Sequence, residues 1–445
     1  GGKLIDLDPV PLRTVEDAIA LRGLVTEGAR RAVVLGGGFI GIEAAEALRL
    51  QGLETSVVEL SPHVLPPFEP ELAQLITDEL TGLGIAVHDG VAASALVPVA
   101  GHDAVVVSDG MRTVAGLIVL SVGVRPDPEV FGAAGIALER GAIVVDDHGR
   151  TSAPQGWAAG DAVVSTCAVT GIRRPFALAG PANRAGRLIA DDIFTPAHAR
   201  PIPRPLGTAI VRVGELTAAS TGVNKATLLS AGIAHHTLHL HPNQHAGYFP
   251  GAAQMHLIVH FREGDGALLG AQAVGPEGID KRIDVLATAL RAGMAIDELI
   301  DLDLAYSPPY GMAKDPINLA GMEGENVRTG TIKLWYAQDV DDVLASTLVL
   351  DTRSRAEFAS GHLPGALNIP HTELRERLDE VRDAAAGRPT SVMCASGMRS
   401  YIAYRVLAQH GFDATTLSGG ILTLRAALGD RAAELLVSEP LKESV

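Results

Sequence analysis

Arg31-Ala32-Val33-Val34-Leu35-Gly36-Gly37-Gly38-Phe39-Ile40-Gly41 decides the fold class of the first half of this chain. The apolar run Arg31–Leu35 reads as a short buried strand, and the Ala/Glu/Leu stretch reaching to about Leu50 reads as a helix. Between them Gly36, Gly38 and Gly41 follow the spacing G-x-G-x-x-G. Gly36 permits a tight turn, Gly38 lets backbone N–H groups approach a pyrophosphate, and Gly41 allows the helix to pack closely on the strand. The helix N-terminus then faces the phosphate charge. Residues 55–60 form the next strand, with Glu59 at its end, 18 residues beyond Gly41. A carboxylate there accepts the ribose hydroxyls of NAD(H) and repels the 2′-phosphate of NADP(H). A glycine-rich turn alone says little; strand, helix and acid together predict NADH binding, with NADPH disfavoured.

Working outward, residues 104–107 and 116–122 read as further strands, with Pro126 and Pro128 marking a break. Short strand signals follow at 142–146 and 156–159, then a helix over 181–193. Residues 196–205 hold four prolines and read as a linker. Strand-like stretches at 207–213, 237–241, 255–261 and 267–274, with a helix over 278–293, predict an α+β domain. Residues 333–338 read as a second connector, and 347–351 opens a new α/β unit.

The chain has 445 residues, which fits about three domains. Aromatics are only 4%, so the cores must be built of Ala, Val, Leu and Ile. A formal net charge of −16 argues against nucleic acid and anionic membrane as partners. No apolar stretch approaches the roughly 20 residues that span a bilayer, and no secretory signal pattern is visible. With only Cys167 and Cys394 there is no disulfide framework, and a cytoplasmic location is expected.

A family resemblance begins at Gly123-Val124-Arg125-Pro126, Thr151-Ser152-Ala153-Pro154 and Trp157-Ala158-Ala159-Gly160-Asp161. These resemble the pyridine nucleotide-disulfide oxidoreductases. By itself Gly160-Asp161 is ordinary turn chemistry. The resemblance implies that Gly123 and Asp161 belong to an FAD site, with Asp161 holding a ribityl hydroxyl. The segments 179–187 and Tyr306-Ser307-Pro308-Pro309-Tyr310-Gly311 resemble the coenzyme A-disulfide reductase and NADH oxidase branch. That branch implies a homodimer, with Tyr248 and Tyr310 near the coenzyme A thiol. The alternative is that both tyrosines pack in a core or interface with the hydroxyl at the rim. Phe249 stands where a second tyrosine is often found.

Two departures shape the expectation. The chain begins Gly1-Gly2-Lys3 and carries one glycine fingerprint, so residues 1–29 read as the tail of an FAD domain whose first half is absent. No cysteine precedes Cys167, which reads as a buried, incidental thiol rather than the family's redox cysteine. His235, His236, His239, His241 and His245 read as a solvated strand face, and no metal site is expected.

The last segment resembles a rhodanese domain: Leu348-Val349-Leu350-Asp351-Thr352-Arg353, Glu357-Phe358, Gly361-His362-Leu363-Pro364-Gly365-Ala366 and Leu417-Ser418-Gly419-Gly420. At its centre stand Cys394-Ala395-Ser396-Gly397-Met398-Arg399. A strand–loop–helix sets Cys394 at a helix N-terminus, where backbone N–H groups favour a thiolate and then a persulfide. Gly397 permits the loop and Arg399 closes it with a fixed positive charge. The resemblance implies that this six-residue loop suits sulfur, and that Ala395, where thiosulfate-preferring members often carry Arg, disfavours thiosulfate.

The expected fold is thus α/β multidomain. A Rossmann-like NAD(P)-binding domain (30–127) is inserted in an incomplete FAD domain (1–29 and 128–195). An α+β dimerisation domain (206–330) and an α/β rhodanese domain (338–445) follow. The expected activity is FAD- and NADH-dependent reduction of coenzyme A disulfide or persulfide, coupled to sulfur transfer at Cys394. A sulfur carrier without reductase activity and an NADH oxidase are the alternatives.

Overall fold

In the computed structural model, which describes residues 9–99, 102–107, 110 and 112–438, the strand Arg31–Leu35 lies in the middle of a five-stranded parallel sheet. The order is Val10–Pro11, Leu117–Leu120, Arg31–Leu35, Glu54–Val58, Ile85–His88. Parallel strands are covered on both faces, which is why these read as unbroken apolar runs. Val33, Val34, Val57 and Ile118 are fully buried. The helix Phe39–Leu50 packs here through Ile42, Ala44, Ala45 and Leu48. A three-stranded antiparallel sheet, Ala93–Val99, His102–Val107 and Arg112–Ala115, precedes the last parallel strand. Gly1 to Asp8 and the last seven residues, parts of the expected first and last domains, lie outside the described residues.

The chain divides into two compact units. The first holds the chain up to Pro66, Leu80–Gly214 and Ala219–Ile233; the second holds Pro67–Glu79, Glu215–Ala218 and everything from Ala234 onward. In the first unit the helix Ala179–Phe194 carries buried Asp192, whose carboxylate accepts from Arg150 Nε at 2.7 Å and Trp157 Nε1 at 2.9 Å. Residues 156–159, expected as a strand, are instead irregular, with a single bridge, Arg150↔Trp157. The bonds to Asp192 help to hold this stretch in place.

In the second unit His235–Leu240, His256–Arg262 and Leu268–Gly275 form an antiparallel ladder. The helix Ile279–Ala292 runs between Gly278 and Gly293, both left-handed at φ 70° and 76°. Arg282 on this helix is buried and donates to Asp315 Oδ2 at 2.8 Å. Asp315 in turn caps the helix Pro316–Arg328 through the Ile317 N–H.

The C-terminal sheet is parallel, in the order Leu334–Trp335, Ala414–Leu417, Thr390–Met393, Leu348–Asp351, Leu367–Asn368. The stretch 333–338, expected as a connector, supplies its edge strand, with Trp335 paired to Leu417. A two-residue strand is too short to show a periodicity, and only the buried Trp335 betrays it. Leu350, Val392 and Leu407 lie at the centre of one core cluster, Val340, Met393 and Leu424 in another. Among the described residues no helix is long and apolar enough to cross a membrane.

Candidate functional site

Cys394 directly follows the central strand Thr390–Met393 and is wholly buried. Reactive groups in parallel sheets gather outside the carboxyl ends of the strands. The helix Met398–Gln409 begins just beyond, with Gly397 at its N-terminus and no side-chain cap. Gly397 has φ 99°, a conformation that side chains strain to adopt, and its N–H donates to Cys394 Sγ at 3.2 Å. Uncapped N–H groups at a helix start stabilise negative charge, so the loop suits an anionic sulfur.

Two further contacts hold the loop. Arg399 Nη1 and Nη2 donate to Glu357 Oε2 and Oε1 at 2.8 and 2.6 Å. That bonding holds the Glu357 carboxyl down at about 2, while Glu357 first, and Cys394 more weakly, push the Arg399 guanidinium up. Arg399 is therefore paired rather than bare, and Glu357 is the functional partner that sequence reasoning did not single out. Its neighbour Phe358 stacks on His362, so the motif around it was the available signal. On the other side, the Ile421 N–H donates to the Cys394 carbonyl at 2.9 Å. A Cβ at Gly420, φ 64°, would stand 2.6 Å from the carbonyl oxygens of both Cys394 and Ala395. Below the loop Thr352 Oγ1 donates to the Met393 carbonyl at 2.9 Å, and a buried Asp351–Arg353 ion pair stiffens the strand end.

The glycine turn meets the steric demands of a dinucleotide cradle. Gly36 has φ 104°, and a Cβ there would lie 2.3 Å from the Ser121 carbonyl oxygen. A Cβ at Gly41 would lie 1.9 Å from the Gly36 carbonyl oxygen, so the helix could not approach. Nothing lies within 4 Å of a Cβ at Gly38, which leaves that face open to a ligand. Glu59 is buried and accepts from the Gly37 N–H at 2.6 Å and the Ser61 N–H at 2.7 Å. The carboxylate thus sits at the turn, fixed in place. Gly123, φ 96°, is exposed beyond the last parallel strand. Asp161 lies in the short helical turn Gly160–Ala162, exposed and without a hydrogen-bond partner among the described residues, which leaves it open to a hydroxyl.

Tyr248 and Tyr310 are 78% and 73% exposed, so neither packs in the core of this chain. Tyr306 joins them: its hydroxyl stands 3.4 Å from that of Tyr248, and this hydrogen bond is the first cause that raises its pKa. Cys167 is buried, at 2% exposure.

The histidines do not form a solvated face. His239 and His245 are buried, and His241 is half-buried. His239 Nδ1 meets Ser418 Oγ at 2.8 Å and its Nε2 meets Glu71 Oε1 at 2.8 Å. His241 Nε2 meets Thr423 Oγ1 at 2.7 Å, and its Nδ1 meets His256 Nδ1 at 2.8 Å. The turn at Ser418 and the helix Gly420–Leu428 that carries Thr423, nearly two hundred residues on, cover this strand, which no local pattern reveals. Among the described residues no group of three or more His, Cys, Asp or Glu is arranged to hold a metal.

Residues 8–186 match the family Pyridine nucleotide-disulphide oxidoreductase, 208–315 its dimerisation domain, and 335–427 the Rhodanese-like domain. The Coenzyme A disulfide reductase of Staphylococcus haemolyticus is 32% identical over 318 residues, 71% of each chain. The crystal structure of reduced Bacillus anthracis CoADR-RHD superposes with a TM-score of 0.92 at 34% identity, covering 96% of this chain and 75% of that one. A NAD-dependent persulfide reductase from A. fulgidus gives 0.86 at 36% identity, covering 93% and 76%.

Proposed function

Because this chain belongs to the pyridine nucleotide-disulphide oxidoreductase family, on its coenzyme A disulfide reductase branch and with a rhodanese domain, we propose that it reduces low-molecular-weight disulfides and persulfides with NADH and FAD, and passes sulfane sulfur through Cys394. One observation carries this reading: a dinucleotide cradle at Gly36–Gly41 and a sulfur-holding loop at Cys394 occur in one chain. Coenzyme A persulfide and coenzyme A disulfide are the proposed substrates, and a homodimer in the cytoplasm the proposed state. The overall reaction balances as RSSH + NADH + H⁺ giving RSH + H₂S + NAD⁺.

The backbone at Gly36, Gly38 and Gly41 holds the nucleotide pyrophosphate. Glu59, already anchored on Gly37, turns its remaining acceptor capacity to the ribose and disfavours a 2′-phosphate, hence NADH. Gly123 and Asp161 contribute to the flavin site, and bound FAD supplies two-electron transfer between nicotinamide and sulfur. Tyr248, beside Tyr306, and Tyr310 are exposed and offer hydroxyls to the thiol substrate.

Cys394 acts by its own chemistry. Its thiolate attacks the outer sulfur of a donor persulfide; a new S–S bond forms, the donor S–S bond breaks, and the donor leaves as a thiol carrying the proton the cysteine gave up. The Gly397 N–H steadies the anionic sulfur, and Arg399, held by Glu357, keeps the loop closed. Ala395 leaves the loop without the second cation that thiosulfate would use.

The test is NADH oxidation by flavin-loaded protein on addition of coenzyme A persulfide. Turnover well above the oxygen-dependent background is expected, with sulfur transfer to cyanide lost in Cys394→Ser. A protein that binds no flavin yet forms a persulfide on Cys394 would be a sulfur carrier. Oxidation that depends on oxygen alone would make it an oxidase.

A further inference from the structure

A cavity of about 440 Å³ opens within the second unit, beside the Cys394 loop. Ser396, Gly397 and Met398 form one wall, and the Gly397 N–H is the group that meets Cys394 Sγ at 3.2 Å. Leu240, Leu319, Met322, Ile332, Leu334 and Leu417 supply apolar wall surface between the polar groups. Its size falls within the range of about 300–1,000 Å³ typical of small-molecule sites. Nothing in the sulfur chemistry described so far uses it.

Polar groups also line this space. Thr416 is 2% exposed, and its Oγ1 is a buried hydroxyl without a hydrogen-bond partner among the described residues. A buried hydroxyl left unpaired costs about 1–3 kcal/mol, so such a group points to a ligand that pairs with it. Ser396, Glu323, Asn326, His241 and Tyr401 are further polar lining groups. Glu323 is only half-buried by its surface, yet protein crowds it enough that desolvation pushes its carboxyl up to about 8. The charged groups Lys314 and Glu325 are exposed, at the rim.

We propose that this cavity is the acceptor subsite of the Cys394 loop, and that it takes a low-molecular-weight thiol with a neutral, largely aliphatic arm bearing amide or hydroxyl groups. The proposal rests on the reading of Cys394 as a persulfide carrier. The arm lies along the apolar walls, and its polar groups pair with Thr416 Oγ1 and Glu323. The acceptor thiolate attacks the outer sulfur of the Cys394 persulfide; the acceptor–sulfur bond forms, the Cys394 S–S bond breaks, and Cys394 leaves as thiolate. No net oxidation occurs. Glu323 shares the cavity lining with His241, just past the strand His235–Leu240, with Lys314 and Glu325 from its own segment, and with Tyr401 from the C-terminal domain; its charge also reaches Tyr336, itself pushed up to about 12, mainly by burial. With its carboxyl protonated below about 8, the cavity is neutral inside; above that, ionisation sets a negative charge beside an incoming thiolate.

The experiment loads the full chain with sulfane sulfur from inorganic polysulfide, then measures discharge to N-acetylcysteamine, to 2-mercaptoethanesulfonate and to cyanide. Cyanide is small and reads the persulfide without the cavity. The neutral thiol should exceed the sulfonate about tenfold in kcat/KM, the scale of one or two buried polar contacts. In Met322→Trp, which fills the space, and in Thr416→Val, which is nearly isosteric, the ratio of thiol-dependent to cyanide-dependent discharge should fall about tenfold. Discharge per thiolate should drop as pH rises through about 8, and Glu323→Gln should flatten that profile. Unchanged ratios in both variants, or equal use of the sulfonate, overturn the subsite. Absence of any thiocyanate from the loaded wild-type protein overturns the persulfide reading instead, and the subsite with it.

Discussion

Arg399 and Glu357 meet through two parallel hydrogen bonds, at 2.8 and 2.6 Å, and this pair locks the helix that begins in the Cys394 loop to the segment after the strand Leu348–Asp351. The fork geometry adds direction as well as charge. Because Glu357 is 38% exposed on its side chain, solvent screens the pair, and its worth to stability is about 1 kcal/mol.

Replacing Glu357 by Gln therefore lowers stability little but frees Arg399 to leave the loop. Cyanide-dependent sulfur transfer should fall about tenfold, whereas Glu357→Asp should retain more of it. The Glu357 carboxyl is depressed from 4.5 to about 2, so its stabilisation is full above 4.5 and is lost as pH falls toward 2. Wild-type transfer should decline in that window, and an acid profile of the Gln variant that still shows the same decline would refute the assignment.

Gly420 tests the other wall. A methyl there meets the Cys394 and Ala395 carbonyl oxygens at 2.6 Å, at φ 64°. Gly420→Ala should cost more than about 2 kcal/mol and abolish sulfur transfer. By contrast Gly186, inside the helix Ala179–Phe194 with nothing within 4 Å, should gain about 0.5–1 kcal/mol as Ala. Thermal melts of the two variants decide, and a melting point for Gly420→Ala equal to wild type would refute the contact.

The proposed role of Glu59 in nucleotide choice is open to a direct test. Glu59→Ala orphans the Gly37 and Ser61 N–H groups and removes the negative charge from the turn. NADH affinity should weaken about tenfold, while NADPH affinity should hold or rise. Fluorescence titration with both nucleotides measures this directly, and a uniform loss for both would show that Glu59 serves only the turn.

His256 predicts an acid weakness. Burial depresses it from 6.5 to about 4, and it faces His241, itself held low by burial, His256 and His239. A depressed histidine is neutral in the folded state, so its contribution is full above 6.5 and is lost as pH falls toward 4. The difference is worth about 3 kcal/mol at most. His256→Asn should flatten the fall of stability between those values, as chemical denaturation at a series of pH values would show; an unchanged slope would locate the acid weakness elsewhere.

Contiguous segments alone determined a large share of this protein. The turn at Gly36–Gly41, Glu59 after the next strand, and the loop Cys394–Arg399 are each local, and their conformations follow from what their own residues allow. The helix bounded by Gly278 and Gly293 was legible for the same reason: both glycines adopt the left-handed state that starts and stops it. Tertiary structure alone decided the rest. It buried His239 between Glu71 and Ser418, gave Arg399 its partner Glu357, made an edge strand of Leu334–Trp335, and left Thr416 Oγ1, beside a cavity, without a partner among the described residues. Those outcomes depend on which distant surfaces meet, and burial sets the charge, exposure and pairing of a side chain in ways its sequence neighbours do not encode.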